Sequence, residues 1–283
     1  MRSGFVAVVG RPNVGKSTLV NRLVGTKVSI TSSRPNTTRH GVRGILHQPG
    51  FQAVFVDTPG LHRPRTALGE RLNETAKASL DDVDVVLAVV DATAAIGPGD
   101  RMVLERALAA VAMPLVVVNK VDRAKPEQVL VRLSEAADIC DGRGELFPVS
   151  ARTGKGIPAL EQTVMGGLPE GPPYYPEDMV TDAPEALRVA ELVREQLLRR
   201  VREELPHAIA CQVTEWEWPR IRCEIVVERD SQKAIVIGRG GEVLKEVGTA
   251  VRQELPPGAY LELFVRVEKH WQQRKELLDR LGY

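Results

Sequence analysis

Residues 10 to 18, Gly10-Arg11-Pro12-Asn13-Val14-Gly15-Lys16-Ser17-Thr18, set glycine, lysine and hydroxyl groups at the spacing G-x-x-x-x-G-K-[ST]. Each type has a task at a polyphosphate. Glycines let backbone N–H groups wrap a phosphate, Lys16 brings an ammonium to the outer phosphates, and the Ser17 hydroxyl, with Thr18 beside it, offers a hard oxygen to Mg2+. Asp57 closes the apolar run AVFVD and opens Asp57-Thr58-Pro59-Gly60. A carboxylate there can hold Mg2+ through water, while the Gly60 N–H meets the terminal phosphate. Leu61 follows, where many phosphate-handling switches carry a glutamine, and an apolar side chain cannot orient water by hydrogen bonding.

A base-reading signature lies further along, in Asn119-Lys120-Val121-Asp122. The Asp122 carboxylate can accept from the N1–H and the exocyclic amine of guanine, a donor pair that adenine lacks. Lys120 is expected along the base plane and Asn119 as a brace for the loop. Ser150-Ala151-Arg152 follows the next strand and can turn the Ala151 N–H toward the guanine oxygen. These four spaced motifs imply a site for GTP or GDP with Mg2+. Between them, SITSSRPNTTRHGVRG is a polar loop that should hold a hydroxyl sensing the last phosphate, and Arg39, His40 and His62 read as solvated loop residues.

The elements that must carry these groups alternate. FVAVVG, AVFVD, DVVLAVVD and PLVVVNK are apolar without alternation, as strands covered on both faces must be. Helices are predicted over 16–24, 68–79, 99–111, 126–137 and 157–165, several with proline at or near the first turn. A turn at Gln48-Pro49-Gly50 predicts a hairpin and one antiparallel strand. The fold class is therefore α/β, a doubly wound, mostly parallel sheet with its site at the strand C-termini. Residues 168–184 hold five prolines and no period, so the expected division is a nucleotide domain over 1–168, a linker over 169–184 and a smaller α+β domain over 185–283.

In that second part a long helix (185–204) precedes strands at 209–214 and 221–228, two helices meeting in IVIGRGGEVL, a strand YLELFVRV and a terminal helix from Glu268. The junction Gly238-Arg239-Gly240-Gly241 is a G-x-x-G turn with Arg239 at its exposed centre and Lys245 one turn into the next helix. Ile235, Ile237, Val243, Leu244 and Val247 are expected as apolar helix faces. This is how a KH-type module clamps single-stranded RNA, through backbone N–H groups and basic side chains on phosphates. Trp216 and Trp218 are expected to pack rather than stack on bases. Trp271, Leu277, Leu278 and Leu281 are expected in the core.

Composition narrows the rest. The 283 residues carry a formal net charge of +1, so any nucleic-acid surface must be local. Three cysteines (Cys140, Cys211, Cys223) form no metal or disulfide pattern and suit core thiols of a reducing cytosol. No run reaches the roughly 18 apolar residues of a membrane span.

GRPNVGKS, RPNTTRH, DTPG, NKVD, SAR and the C-terminal IGRGG together resemble the Era family of bacterial GTPases along essentially the whole chain. The resemblance implies a cytoplasmic, monomeric GTP-hydrolysing switch that binds the 3′ end of small-subunit ribosomal RNA during 30S subunit assembly. Some members also associate peripherally with the inner membrane. It selects Thr38 over Thr37 as the phosphate sensor, because the family pattern sets that threonine directly before an arginine. It implies catalytic roles for Lys16, Thr38, Gly60 and Asn13, and Mg2+ ligation by Ser17, Thr38 and Asp57. GTPases similar in P-N-x-G-K-S often use potassium, which makes K+ held by the Asn13 side chain the candidate substitute for a glutamine at position 61. The alternative is a GTP-binding scaffold or peripheral membrane GTPase whose C-terminal part binds protein or lipid.

Overall fold

Strand β1 (Arg2–Gly10) is buried on both faces because its side chains alternate between two separate cores. Val6 and Val8 enter one, with Leu87, Val89, Leu115 and Val117; Ala7 and Val9 enter the other, with Val86, Ala88, Val90, Val116 and Val118. Each buried valine or leucine contributes ~1.5–3 kcal/mol, and a strand buried on both faces needs no polar-apolar alternation. The structure is a computed structural model. It describes every residue except 35, 63, 65, 112 and 202–204 and the side chains of 206 and 207.

The first unit ends at Asp182, apart from two short segments ahead of Arg71. In chain order it holds β1, α1 (Lys16–Val24), β2 (Val42–Gln48), β3 (Phe51–Asp57), α2 (Ala67–Ala78), β4 (Val85–Asp91), α3 (Pro98–Ala110), β5 (Leu115–Asn119), α4 (Pro126–Cys140), β6 (Glu145–Pro148) and α5 (Ile157–Gly167). The sheet order is β2-β3-β1-β4-β5-β6. Only β2 runs antiparallel, through a hairpin whose Gly50 has φ 83°. Helices α3 and α4 begin with proline in the first turn, where the missing N–H costs nothing. The parallel strands β1, β3, β4, β5 and β6 bring Gly10, Asp57, Asp91, Asn119 and Ser150 toward one edge of the sheet.

The second unit, from Ala183, holds α6 (Glu185–Arg200), α7 (Leu205–Ala208), β7 (Ala210–Glu217), β8 (Arg220–Val227), α8 (Asp230–Ile237), α9 (Glu242–Arg252), β9 (Tyr260–Val267) and α10 (Lys275–Arg280). Its sheet is β7-β8-β9, antiparallel then parallel. The helix predicted over 185–204 ends at Arg200, and residue 204 lies outside the described residues. The terminal helix starts at Lys275 rather than Glu268, after a turn built by Trp271–Gln273. Trp271 is fully buried and its Nε1–H donates to the Ala208 carbonyl at 2.9 Å, so a large indole fixes the chain before the helix begins. Leu277, Leu278 and Leu281 are buried, as are all three cysteines, none of them in a disulfide. Trp216 and Trp218 depart from expectation, 40% and 53% exposed near the end of the β7-β8 hairpin.

Residues 169–182 form no helix or long strand, as four prolines dictate, yet they are held against the rest of the first unit. Gln52, fully buried on β3, donates from Nε2 to the Tyr175 carbonyl at 2.8 Å and accepts at Oε1 from the Tyr174 and Tyr175 N–H groups at 2.6 and 3.1 Å. The Ile45 N–H donates to Val180, and Arg43 and Tyr175 both reach the Asp182 carboxylate. One buried amide thus satisfies backbone groups that proline-rich coil cannot pair internally. Gln52→Ala should lower the stability of the full chain by about 2 kcal/mol in chemical denaturation. Cleavage within 170–182 should accelerate in limited proteolysis.

Candidate functional site

Gly15, at φ 99°, ends the loop after β1 and caps α1. Only glycine holds that conformation without strain, and a side chain there would strike the Asn119 amide. Lys16, the first residue of α1, is buried and its Nζ donates to the carbonyls of Gly10 and Arg11 at 3.2 and 3.0 Å. Burial pushes its pKa down to about 8, against the opposing pull of the Asp57 carboxylate. An anion arriving in the loop would offset the cost of burying the ammonium and raise its pKa again. The Leu61 N–H also donates to Gly10, at 3.1 Å.

Asp57 lies at the end of β3, fully buried, and desolvation raises its pKa. Its Oδ2 accepts from the Thr38 hydroxyl at 3.3 Å, and that hydroxyl stands 2.8 Å from Ser17 Oγ. Its Oδ1 is buried without a hydrogen-bond partner. Orphaned carboxylate oxygens are costly in an apolar interior, and this one sits with two hydroxyls. The set fits a hard divalent cation that prefers oxygen ligands. Thr38 is the threonine whose hydroxyl joins it.

Gly60 closes on the loop so tightly that a Cβ would lie 2.6 Å from the Pro12 nitrogen. Leu61 is 1% exposed and belongs to the core with Ala7, Val9 and Val86, so its side chain is committed to packing. His62, half-buried, has Nδ1 2.9 Å from the Gly60 carbonyl. Arg39 is buried rather than solvated, contrary to the expectation from its polar surroundings.

Asn119 ends β5 at 2% exposure. Its Nδ2 donates to the Val14 carbonyl at 2.9 Å, and its Oδ1 accepts from the Ala151 N–H at 3.0 Å. The brace is present, but it uses the Ala151 N–H that was expected to face a ligand, because a buried amide oxygen needs a donor. Lys120 is left-handed at φ 68° and reaches the Asn13 carbonyl and Asp91, both at 2.6 Å. Asp122 is engaged on both oxygens, accepting from Ser150 Oγ at 2.7 Å and pairing with Arg152 at 2.7 Å. These contacts, led by the Ser150 hydrogen bond, hold its carboxyl below the usual range. The Arg152 side chain is 73% exposed, so it can swing aside for a base. Asp91 is the site residue that sequence reading missed: it follows an ordinary apolar strand and belongs to no motif.

A second candidate site lies in the other unit. Gly238, Gly240 and Gly241 have φ of 76°, 62° and 82°, which explains three glycines in four positions. A Cβ on Gly238 would strike Val243, whereas Gly240 and Gly241 face open space. Arg239 and Lys245 are exposed. The apolar faces of α8 and α9 use Val236, Val247 and Val251, and Ile235, expected among them, is 56% exposed.

Comparisons with known proteins give the same two parts. The 50S ribosome-binding GTPase family matches residues 5–120, and the KH domain family matches residues 204–272. GTPase Era of Mycobacterium sp. (strain JLS) is 48% identical over 295 residues, covering 100% of this chain and 99% of that protein. GTPase Era of Mycobacterium bovis (strain BCG / Pasteur 1173P2) is 47% identical over 296 residues, covering 99% and 98%. Two solved structures resemble the whole chain, each covering 100% of it and 99% of their own. One is a single-residue variant of Aquifex aeolicus Era bound to GDP.AlF4-, 40% identical with a TM-score of 0.94. The other is Era in complex with MgGDPNP and nucleotides 1506-1542 of 16S ribosomal RNA, 41% identical with a TM-score of 0.95.

Asn119→Ala would leave the Val14 carbonyl and the Ala151 N–H unpaired inside the protein. The ligand-free chain should lose about 2 kcal/mol, measured by chemical denaturation.

Proposed function

The chain belongs to the Era family of GTPases, and from that premise we propose that it is a GTP-hydrolysing switch that binds the 3′ end of small-subunit ribosomal RNA and acts in 30S subunit assembly. One observation carries the reading. A phosphate loop with its Lys16, Ser17, Thr38 and Asp57 set shares a chain with a three-glycine turn flanked by exposed Arg239 and Lys245. The Era relative solved with MgGDPNP and a 16S ribosomal RNA segment covers both parts. In this reading residues 1–168 bind GTP, 169–184 connect, and 185–283 bind RNA. The protein acts as a cytoplasmic monomer; an inner-membrane contact would be peripheral, since among the described residues no helix is long and apolar enough to cross a membrane.

At the nucleotide site, Gly15 and the N-terminus of α1 receive phosphate, Thr18 adds a hydroxyl, and Lys16 supplies a buried ammonium. Ser17, Thr38 and Asp57 hold Mg2+, which neutralises charge on the phosphates when bound. Asp122 reads guanine once Arg152 withdraws, with Asn119, Lys120, Ser150 and Ala151 fixing the loop. The Gly60 N–H would meet the last phosphate directly, and the Thr38 hydroxyl would sense it through Mg2+. Leu61 cannot take the glutamine's part, since its side chain is locked in the core. Asn13, exposed at φ 67°, stands in the phosphate loop, and its side-chain oxygen is the K+ ligand. In the second unit Gly238, Arg239, Gly240, Gly241 and Lys245 clamp the RNA backbone.

Three measurements bear on this. Ser17→Ala should weaken Mg2+·GTP about tenfold or more and GTP in EDTA less than about twofold, because only a metal ligand is lost. Equal losses would give Ser17 a packing role. GTP hydrolysis should run several-fold faster in potassium than in sodium at equal ionic strength, with Asn13→Ala abolishing the difference; equal rates in the two salts remove K+ from the site. Gly240→Asp should weaken binding of a short single-stranded RNA carrying the 16S 3′ sequence by about tenfold or more, through strain at positive φ and repulsion of phosphate. Undiminished binding would exclude the turn as the clamp.

A further inference from the structure

The stem of Lys120 is expected along a base plane, and its ammonium end is fixed at two points. The Nζ donates to the Asn13 carbonyl and to Asp91 Oδ2, each at 2.6 Å. Asp91 is itself held by its neighbours. Its Oδ1 accepts from the N–H and the hydroxyl of Thr93 at 2.9 and 2.7 Å, a local turn that aims Oδ2 outward. The backbone on either side is fixed as well, because Asp91 is paired in register with Asn119 across β4 and β5 and the Ala92 N–H donates to the Asn119 carbonyl at 2.8 Å. Hydrogen bonds from Lys120 and Thr93 outweigh desolvation and hold the carboxyl below its usual range.

An exposed lysine pair is worth little, since four rotatable bonds must be frozen to make it. This pair differs on two counts. The side chains of Lys120 and Asp91 are only 23% and 18% exposed, and both ends of the bridge are already fixed by the sheet. Lys120 and Asn13 also both hold left-handed backbones, at φ 68° and 67°, conformations that cost a non-glycine residue free energy unless neighbours impose them. The bridge from carboxylate through ammonium to carbonyl ties these two strained residues together, and Asp91, Lys120 and Asn13 line one cleft beside the phosphate loop with Arg11 and Asp100. Arg11 and Asp100 form their own ion pair at 2.9 Å and leave the bridge undisturbed.

We propose that Asp91 is a positioning residue for nucleotide retention: acting through Lys120, it holds the base-reading loop and the phosphate loop in the spacing that a bound guanine nucleotide needs. The inference rests on the nucleotide site proposed above and extends it to a residue outside every motif. Losing the carboxylate frees the ammonium to wander, so the Asn13 carbonyl and the wall against the base loosen together. Release should then accelerate whether or not Mg2+ is present, because the bridge touches none of the Mg2+-binding residues Ser17, Thr38 and Asp57.

The test follows release of a fluorescent GDP by stopped flow from the full chain. Asp91→Asn should release GDP about tenfold faster, by the same factor in Mg2+ and in EDTA. Lys120→Met, which keeps the stem and removes the ammonium, should also accelerate release. Adding Asp91→Asn to Lys120→Met should then change nothing further, since both act on one bridge. Release at the parental rate from Asp91→Asn, or losses that multiply in the double variant, would overturn the proposal. Failure of the unmodified protein to bind the fluorescent GDP would instead overturn the nucleotide reading. If Asp91→Asn does not fold, Thr93→Ala keeps the charge, removes one restraint on it, and should speed release about two- to threefold; an unchanged rate there would equally sink the idea.

Discussion

The phosphate loop is held by its carbonyls. Asn119 takes that of Val14, Lys120 that of Asn13, and Lys16 those of Gly10 and Arg11, with the Leu61 N–H joining at Gly10. A loop that must present N–H groups to an anion can be rigid only if its restraints fall on the opposite face of its peptides. The rest of the first unit follows from that requirement. The donors come from α1, β5 and the turn after β3, and a parallel sheet is the arrangement that brings successive strand C-termini to one edge. Asn119 matters most among them because its amide serves the phosphate loop with one end and the Ala151 turn with the other.

Charge burial sets the second constraint. Lys16 and Asp57 are both withdrawn from water, and each has its charged form disfavoured by desolvation, though the opposite sign nearby offsets part of the cost. Such a site is destabilising when empty and is relieved by a ligand bearing negative charge next to Lys16 and a cation next to Asp57. A magnesium nucleotide supplies both. The same anchoring explains Leu61: with the loop after β3 tied to Gly10 and packed on Pro12, its next side chain drops into the core.

The second unit solves a different problem with fewer charges. Its turn uses three residues at positive φ in four positions, so backbone groups rather than long side chains are what it can present, and Arg239 and Lys245 supply the nearby positive charge. A chain whose acids and bases nearly balance can still hold a nucleic acid at such a point, because the attraction is local.

The sequence alone determined the strand runs, the helix bounds of the first unit to within a few residues, the antiparallel hairpin and the motif residues, since each depends on local chemistry: apolar runs for strands buried on two faces, glycine for left-handed turns, fixed spacing for phosphate. Only the tertiary structure decided which groups meet. Gln52 reads as an ordinary residue of a strand, and nothing near it shows that it straps residues 169–182 to the sheet. Arg39 reads as solvated and is buried; Trp216 and Trp218 read as packed and are exposed, because residue type does not say which side chains find neighbours in the fold. The Ala151 N–H, expected to face a ligand, donates to Asn119, and Asp91 meets Lys120 from 29 positions away. Hydrogen-bond partners distant in sequence leave no periodicity and no spacing, so they become visible only when strands β4 and β5 lie side by side.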